Sequence, residues 1–229
     1  MWWMIVDAEA GPIERGERLE WAVEWMGMQA GTAWARVRSE GQSLVFEAGC
    51  DSAGMVERLY PVHDVLTSWW TAERGSSRYT TRFREGRFQQ DLDMSLGPEV
   101  VVQRHQRFDT GWRRWEDRYT GSSPIEDPVS AFFRLRLAIQ DAGETVRFPL
   151  FTGSRTVTLR ADISREAVDG VSRLRAEVAT EHEGDVKGKM TVHFSDDADR
   201  VPVRVTVQTR AGPVSARLLR RELPAVPHR

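Results

Sequence analysis

The chain has 229 residues and a mass of 26.1 kDa, room for one large β domain or two small domains with a core that needs no covalent staples. Hydrophobic residues make 40% and charged residues 29%, with a formal net charge of -2 and a mean hydropathy of -0.48. This excludes a helical membrane-spanning protein, a collagen and a wholly disordered chain. Acids also stand beside the arginines, as in Arg113-Arg114-Trp115-Glu116-Asp117, so no basic field forms and nucleic acid is not an expected partner.

The N-terminal segment, residues 1–15, opens with the apolar run Met1-Trp2-Trp3-Met4-Ile5-Val6, and Ala8-Glu9-Ala10 follows. The run is short for the apolar region of a signal peptide and no cation precedes it. It reads as a truncated export signal, a mis-assigned start or a first strand. A single β-rich domain is expected over 16–223, with a disordered tail over 224–229.

Period-2 alternation dominates from residue 19 onward. Leu19, Trp21, Val23 and Trp25 share one face. Ala33, Ala35 and Val37 follow, opposite Trp34, Arg36 and Arg38, and Glu40-Gly41-Gln42 turns into Leu44-Val45-Phe46. Ser52 to Tyr60 suggests a short helix that ends before Pro61. Strands are expected again over 65–71, 78–84, 88–94, 100–107 and 112–119. One capped helix is predicted over 128–140. Asp127 is a natural N-cap, Pro128 suits the first helical position, and Val129, Phe132, Phe133 and Leu137 recur at helical spacing. Alternating strands then return over 156–163, 173–178, 189–194, 201–208 and 214–218.

One-sided alternation predicts an antiparallel sheet, and a sheet of about twelve to fourteen such strands must curl or split. The expected fold is mainly β. It is a large curved antiparallel sheet or partial barrel, with the helix near 128–140 packed on its concave side. Two packed half-barrels divided near residue 125 are the alternative. Which face is concave stays open at this level.

Several blocks, in their order, resemble a known family. Gly16-Glu17-Arg18-Leu19-Glu20-Trp21 and Tyr60-Pro61-Val62-His63-Asp64 come first. The run Ile125-Glu126-Asp127-Pro128-Val129 to Arg136, then Phe148-Pro149-Leu150-Phe151, and finally Phe194-Ser195-Asp196-Asp197 to Arg204 complete the series. Together, over about residues 16–222, the chain resembles the bacterial domain of unknown function 3108. The resemblance implies an exported β-protein of the periplasm or cell envelope, and it carries no catalytic residues over.

The chemistry-bearing residues form no pattern of their own. His63, His105, His182, His193 and His228 make neither HxH nor HExxH, and Asp91-x-Asp93 and Asp197-x-Asp199 lack the rest of an EF-hand loop. No G-x-S-x-G, phosphate-binding loop or dinucleotide fingerprint occurs. Cys50 is the single cysteine, so it forms no disulfide or CxxC pair within the chain, and it is expected to be buried and inert. No catalytic residue, metal or cofactor is therefore predicted.

The nine tryptophans and the small Ala33 and Ala35 have two readings, plain core packing or an apolar ligand pocket beside the sheet. The pocket's expected lining is Leu19, Trp21, Val23, Phe83, Leu92, Val192 and Phe194, with Phe132 and Phe133 from the helix. The resulting expectation is a non-enzymatic binding protein for a lipid or similar apolar ligand, resembling half-barrel lipoprotein carriers at the level of fold only. The alternative is a structural or assembly module that pairs its sheet edges with another envelope protein.

Overall fold

A computed structural model of the protein describes residue 13, residues 16–182 and residues 185–224, with 185–189 as backbone alone. The expectations for the apolar N-terminal run and for the end of the tail lie outside the described residues. The rest forms one antiparallel sheet of fourteen strands with two helices.

The first eight strands are a continuous meander: β1 (Arg18–Trp25), β2 (Met28–Glu40), β3 (Ser43–Ser52), β4 (His63–Thr71), β5 (Gly75–Glu85), β6 (Phe88–Ser95), β7 (Glu99–Phe108) and β8 (Gly111–Thr120). The short helix α1 (Gly54–Leu59) links β3 to β4, and α2 (Pro128–Ala138) follows β8. A second meander returns through β9 (Thr145–Phe151), β10 (Thr156–Val168), β11 (Val171–His182), β12 (Asp185–Ser195), β13 (Pro202–Thr209) and β14 (Gly212–Glu222). β14 then pairs with β1, Arg18 facing Glu222 and Trp25 facing Val214. The two meanders are thus one sheet joined at the chain's two ends, not two separate half-barrels.

The run Thr145–Phe151 carries no strand prediction, because Pro149 interrupts it. It is β9, an edge strand of the sheet. Proline is tolerated at an edge, where its missing N–H leaves no ladder bond unmade.

The sheet does not close by backbone pairing between its edges β8 and β9. It closes by other means. Tyr119 of β8 packs edge-on against Phe151 of β9 at 5.3 Å, and Arg104 donates to the Gly153 carbonyl. The strap Ile125-Glu126 links the edge strand β9 to the start of β5, pairing in parallel with Leu150 on one side and Gly75 on the other. The Ser76 N–H reaches the Ile125 carbonyl at 2.9 Å, so Gly75 must lie flat against the strap. A Cβ at Gly75 would stand 2.6 Å from that carbonyl, and its φ of +72° favours glycine independently.

α2 runs inside the curve. Phe133 stacks on Phe46 of β3 at 4.3 Å, and Leu135 and Ala131 pack with Phe148, Leu159, Leu174 and Phe194 of the second meander. The helix therefore divides the interior into two apolar clusters, with Phe132 packed against both.

Its N-terminus is seated by buried polar groups. The fully buried Asp127 accepts the Val129 and Ser130 N–H groups at 2.8 and 3.0 Å on Oδ1. On Oδ2 it accepts the Ser68 and Ser76 hydroxyls at 2.5 Å each. The Ser130 hydroxyl returns a bond from the Asp127 N–H, which completes a capping box.

Near the other end, Arg136 donates to the buried Glu17 and, at 2.8 Å, to the Asp199 carbonyl. Arg136 spans both oxygens of Glu17, and Arg221 of β14 donates to Oε1 as well at 2.6 Å and pairs with Asp199 at 2.7 Å. The segments that carry the family resemblance are thus largely those that hold α2.

Burial pushes the Asp127 carboxyl above the usual range, against the pull of its four hydrogen bonds. A raised folded-state value means that ionisation subtracts stability, increasingly as pH rises through it. Asp127→Ala removes the cap and the close acceptor shared by the buried Ser68 and Ser76 hydroxyls. It is expected to cost about 2–4 kcal/mol, more than a surface cap would. Asp127→Asn keeps an acceptor for the helix N–H groups and is expected to cost distinctly less. Urea denaturation at neutral pH checks both.

Candidate functional site

The register between strands builds the concave wall. Leu19, Ala35, Ala48 and Leu66 form one cross-strand row through β1 to β4, and Trp21, Ala33, Cys50 and Asp64 form the next. Val23 faces Gly31 on one side and Ala216 on the other. Side chains of adjacent strands in such rows stand about 5 Å apart, so a run of Ala, Gly and Cys leaves the space a Leu or Phe would fill. Trp34 lies on the opposite, outer face, with the Arg36 guanidinium over its ring at 5.6 Å. The small-residue face is therefore the concave one.

Two apolar recesses result. The inner one, about 330 Å³, lies between Trp21, Ala33, Ala35, Ala48 and Leu66 of the sheet and Val129, Phe132 and Phe133 of α2. Trp21 is fixed there by donating to the Pro202 carbonyl at 2.9 Å. The outer one, about 510 Å³, is bounded by Val23, Trp25, Ala30 and Val214 and covered by Val56 of α1 with Tyr60 and Val62. Cys50, half-buried where the sequence predicts full burial, borders both recesses, which is why it is not sealed in the core. The segments framing this end, the β1–β2 turn and α1, expose Met26, Met28, Met55 and Leu59. α1 buries no residue of its own. It is tethered through Glu57, which accepts from Ser52 and contacts His63 at 3.2 Å, with Asp51 on the other ring nitrogen at 2.9 Å.

A small acidic group lies at the wall. Asp64 accepts the Arg84 N–H at 2.9 Å and neighbours Glu85. Burial raises the Glu85 carboxyl, and the charge of Asp64 raises it further. Burial, helped by the charges of Glu85 and Asp64, likewise raises the Tyr60 hydroxyl, and burial with the charges of Asp64 and Asp51 pushes the Cys50 thiol up to about 12. The thiol is thus neutral at physiological pH and a poor nucleophile.

The expected lining residues do not fall together. Trp21, Phe132 and Phe133 border the inner recess and Val23 the outer one. Leu19 and Leu92 are core residues of the first apolar cluster. Val192 and Phe194 are fully buried in the second, against Leu174 and Ala176. Phe83 packs against Phe88 at 6.4 Å on the β5–β6 hairpin. Sequence reasoning missed Ala48, Gly31, Ala216 and the cover residues Val56 and Tyr60. The signal for the first three was small residues at successive inward positions of neighbouring strands.

A wider depression of about 820 Å³ lies over the polar face of β4 to β8, lined by Arg82, Asp91, Asp93, His105 and Glu116 among others. Its charges are of both signs and largely paired, as in Arg78–Asp93 at 2.6 Å and Arg84–Asp91 at 2.7 Å. Among the described residues, no group of three or more His, Cys, Asp or Glu side chains is placed to hold a metal ion. Nor is any described helix long and apolar enough to cross a membrane.

The family model described as "Protein of unknown function (DUF3108)" matches residues 20–219. The chain belongs to that family. No curated protein matches it. Among solved structures it is similar to a beta-barrel-like protein of domain of unknown function DUF1849 from Brucella abortus. The TM-score is 0.63 at 11% identity, over 94% of this chain and 100% of that one. At that identity the likeness shows a shared fold alone. In this family member, the blocks Ile125–Arg136 and Phe148–Phe151 correspond to the strap, α2 and edge strand β9, so the resemblance follows the element that shapes the recesses.

Two measurements follow from the wall. Cys50 is expected to react slowly with a thiol reagent in the native protein and rapidly after denaturation, and a colorimetric thiol assay checks this. A raised folded-state value for Glu85 places its stability penalty above the unfolded carboxyl value of about 4.3, growing as pH rises through the folded one. Glu85→Gln is therefore expected to raise the melting temperature at pH 7 more than at pH 4, as read by circular dichroism.

Proposed function

We propose that this protein is a non-enzymatic binding protein of the cell envelope that holds an acyl chain, or an apolar ligand of similar shape, in the concave recesses. The observation that carries this reading is the pair of apolar recesses bordering Cys50, the outer one covered by a short helix that contributes no buried residue and that exposes Met55. Their sizes fall in the range of ligand pockets, about 300–1,000 Å³. A wall of Ala and Gly next to Trp21 and Phe132 suits a slender flexible chain better than a rigid polar substrate.

The energetics are adequate. Burying about fourteen methylenes contributes roughly 11 kcal/mol before ordering costs, at about 0.8 kcal/mol each. Micromolar binding needs about 8 kcal/mol. The envelope placement rests on the family resemblance, and cell fractionation tests it.

An environment-sensitive fluorescent fatty acid is expected to bind the full chain saturably. Ala33→Trp fills the inner recess and is expected to weaken binding by about tenfold or more, equivalent to at least 1.4 kcal/mol, while circular dichroism stays unchanged. Arg36→Ala, on the outer face of the same strand, is expected to bind as the parent does. Absence of saturable binding, or parental affinity in Ala33→Trp, would overturn the carrier reading.

A further inference from the structure

The two ends of the sheet are treated differently. The outer edge of β9 is partly covered, because the Glu126 N–H reaches the Pro149 carbonyl at 3.0 Å and the Phe151 N–H reaches the Glu126 carbonyl at 2.8 Å. Pro149 further blunts it. β8 has neither device. It is ten residues long, contains no proline, pairs with β7 without a bulge, and is exposed from Gly111 through Glu116. Such a long regular edge offers a row of unpaired backbone groups.

The phase of those groups is fixed. Phe108 faces Gly111 across a two-residue turn, and the Gly121 N–H continues the ladder to the Pro98 carbonyl. Backbone groups alternate along a strand, so the odd-numbered residues of β8 point theirs at β7. Trp112, Arg114, Glu116 and Arg118 point theirs outward.

The side chains along this edge are self-complementary. Arg113-Arg114-Trp115-Glu116-Asp117 places two cations and two anions symmetrically about a tryptophan. Laid antiparallel on a second copy about Trp115, Arg114 meets Glu116, Arg113 meets Asp117, and Trp112 meets Arg118. This register also brings outward backbone groups together, Arg114 with Glu116 and Trp112 with Arg118. A slip of one step in the ladder in one direction sets Arg114 against Arg114, and in the other Glu116 against Glu116. Among the described residues, neither Arg113 nor Arg114 has a carboxylate within ion-pair distance in its own chain. Glu116, by contrast, pairs with Arg118 at 2.7 Å, and Asp117 pairs with Arg104. The two unpaired cations are those that the second copy would supply with acids.

We infer that β8 is a homodimerisation edge, pairing antiparallel with β8 of a second copy about Trp115 and joining two sheets into one. Sedimentation velocity of the full chain is expected to show a concentration-dependent dimer. Glu116→Arg sets like charges against Arg114 twice per interface and is expected to weaken the dimer by about tenfold or more, and Arg114→Glu is expected to do the same. The double variant R114E/E116R exchanges the charges and is expected to restore the parental constant. Trp115→Cys places a thiol opposite itself on the two-fold axis and is expected to give a disulfide-linked dimer on oxidation, whereas the parent, with Cys50 alone, gives none. A parent that stays monomeric at its highest soluble concentration would overturn the inference. So would failure of the charge exchange to restore the dimer. If either single variant misfolds, the double variant and the Trp115→Cys cross-link decide.

Discussion

Fourteen strands curl around a single eleven-residue helix, and buried charge at both ends of that helix holds it in place. At one end Asp127 gathers two helix N–H groups and two serine hydroxyls from β4 and β5. At the other, Arg136 ties Glu17, Asp199 and, through Glu17, Arg221 of β14 into one network. A buried ion pair of this kind adds little net stability over an apolar substitute, but losing one partner strands a charge at a cost of about 3–5 kcal/mol. The network therefore acts on geometry. It joins the segment before β1, the β12–β13 turn and the last strand to the one element that crosses the interior.

The recesses follow from that geometry. An eleven-residue helix is about 16 Å long at 1.5 Å per residue. A sheet of fourteen strands encloses more than such a helix and the inward side chains fill. Around β10 to β12 the inward residues are mostly Leu, Ile, Val and Phe, with Ala161 and Ala176 fully buried among them, and the space is packed. Across the middle of β2 and β3 they include Gly31, Ala33, Ala35, Ala48 and Cys50, and space stays open beside Trp21 and Val23 of β1. Glu85 beside that wall holds its proton more firmly than a free carboxyl because burial disfavours its charge, and the charge of Asp64 adds to this.

Much of the fold was legible in the order of residues. The alternation located thirteen of the strands, since a one-sided strand writes its period into its sequence. Asp127-Pro128 marked the start of α2 through capping chemistry that is wholly local. β9 escaped because Pro149 breaks the local rule, and only its position at an edge makes the proline harmless. The site was less legible. Trp21, Val23, Phe132 and Phe133 border recesses, whereas Val192 and Phe194, equally apolar and equally periodic, are packed solid. Periodicity says which side a residue faces and is silent on what faces it.

The sequence by itself therefore determined the strand class, the antiparallel habit, the capped helix and the family, because each depends on neighbours within a few residues or on the order of short blocks. The tertiary structure alone decided which face is concave, that β1 pairs with β14, that Ser68 and Ser76 meet Asp127, and that Glu17 meets Arg136 across 119 residues. It also decided where space remains. These outcomes depend on register between strands far apart in the chain, and a shift of one residue would have turned every inward side chain outward.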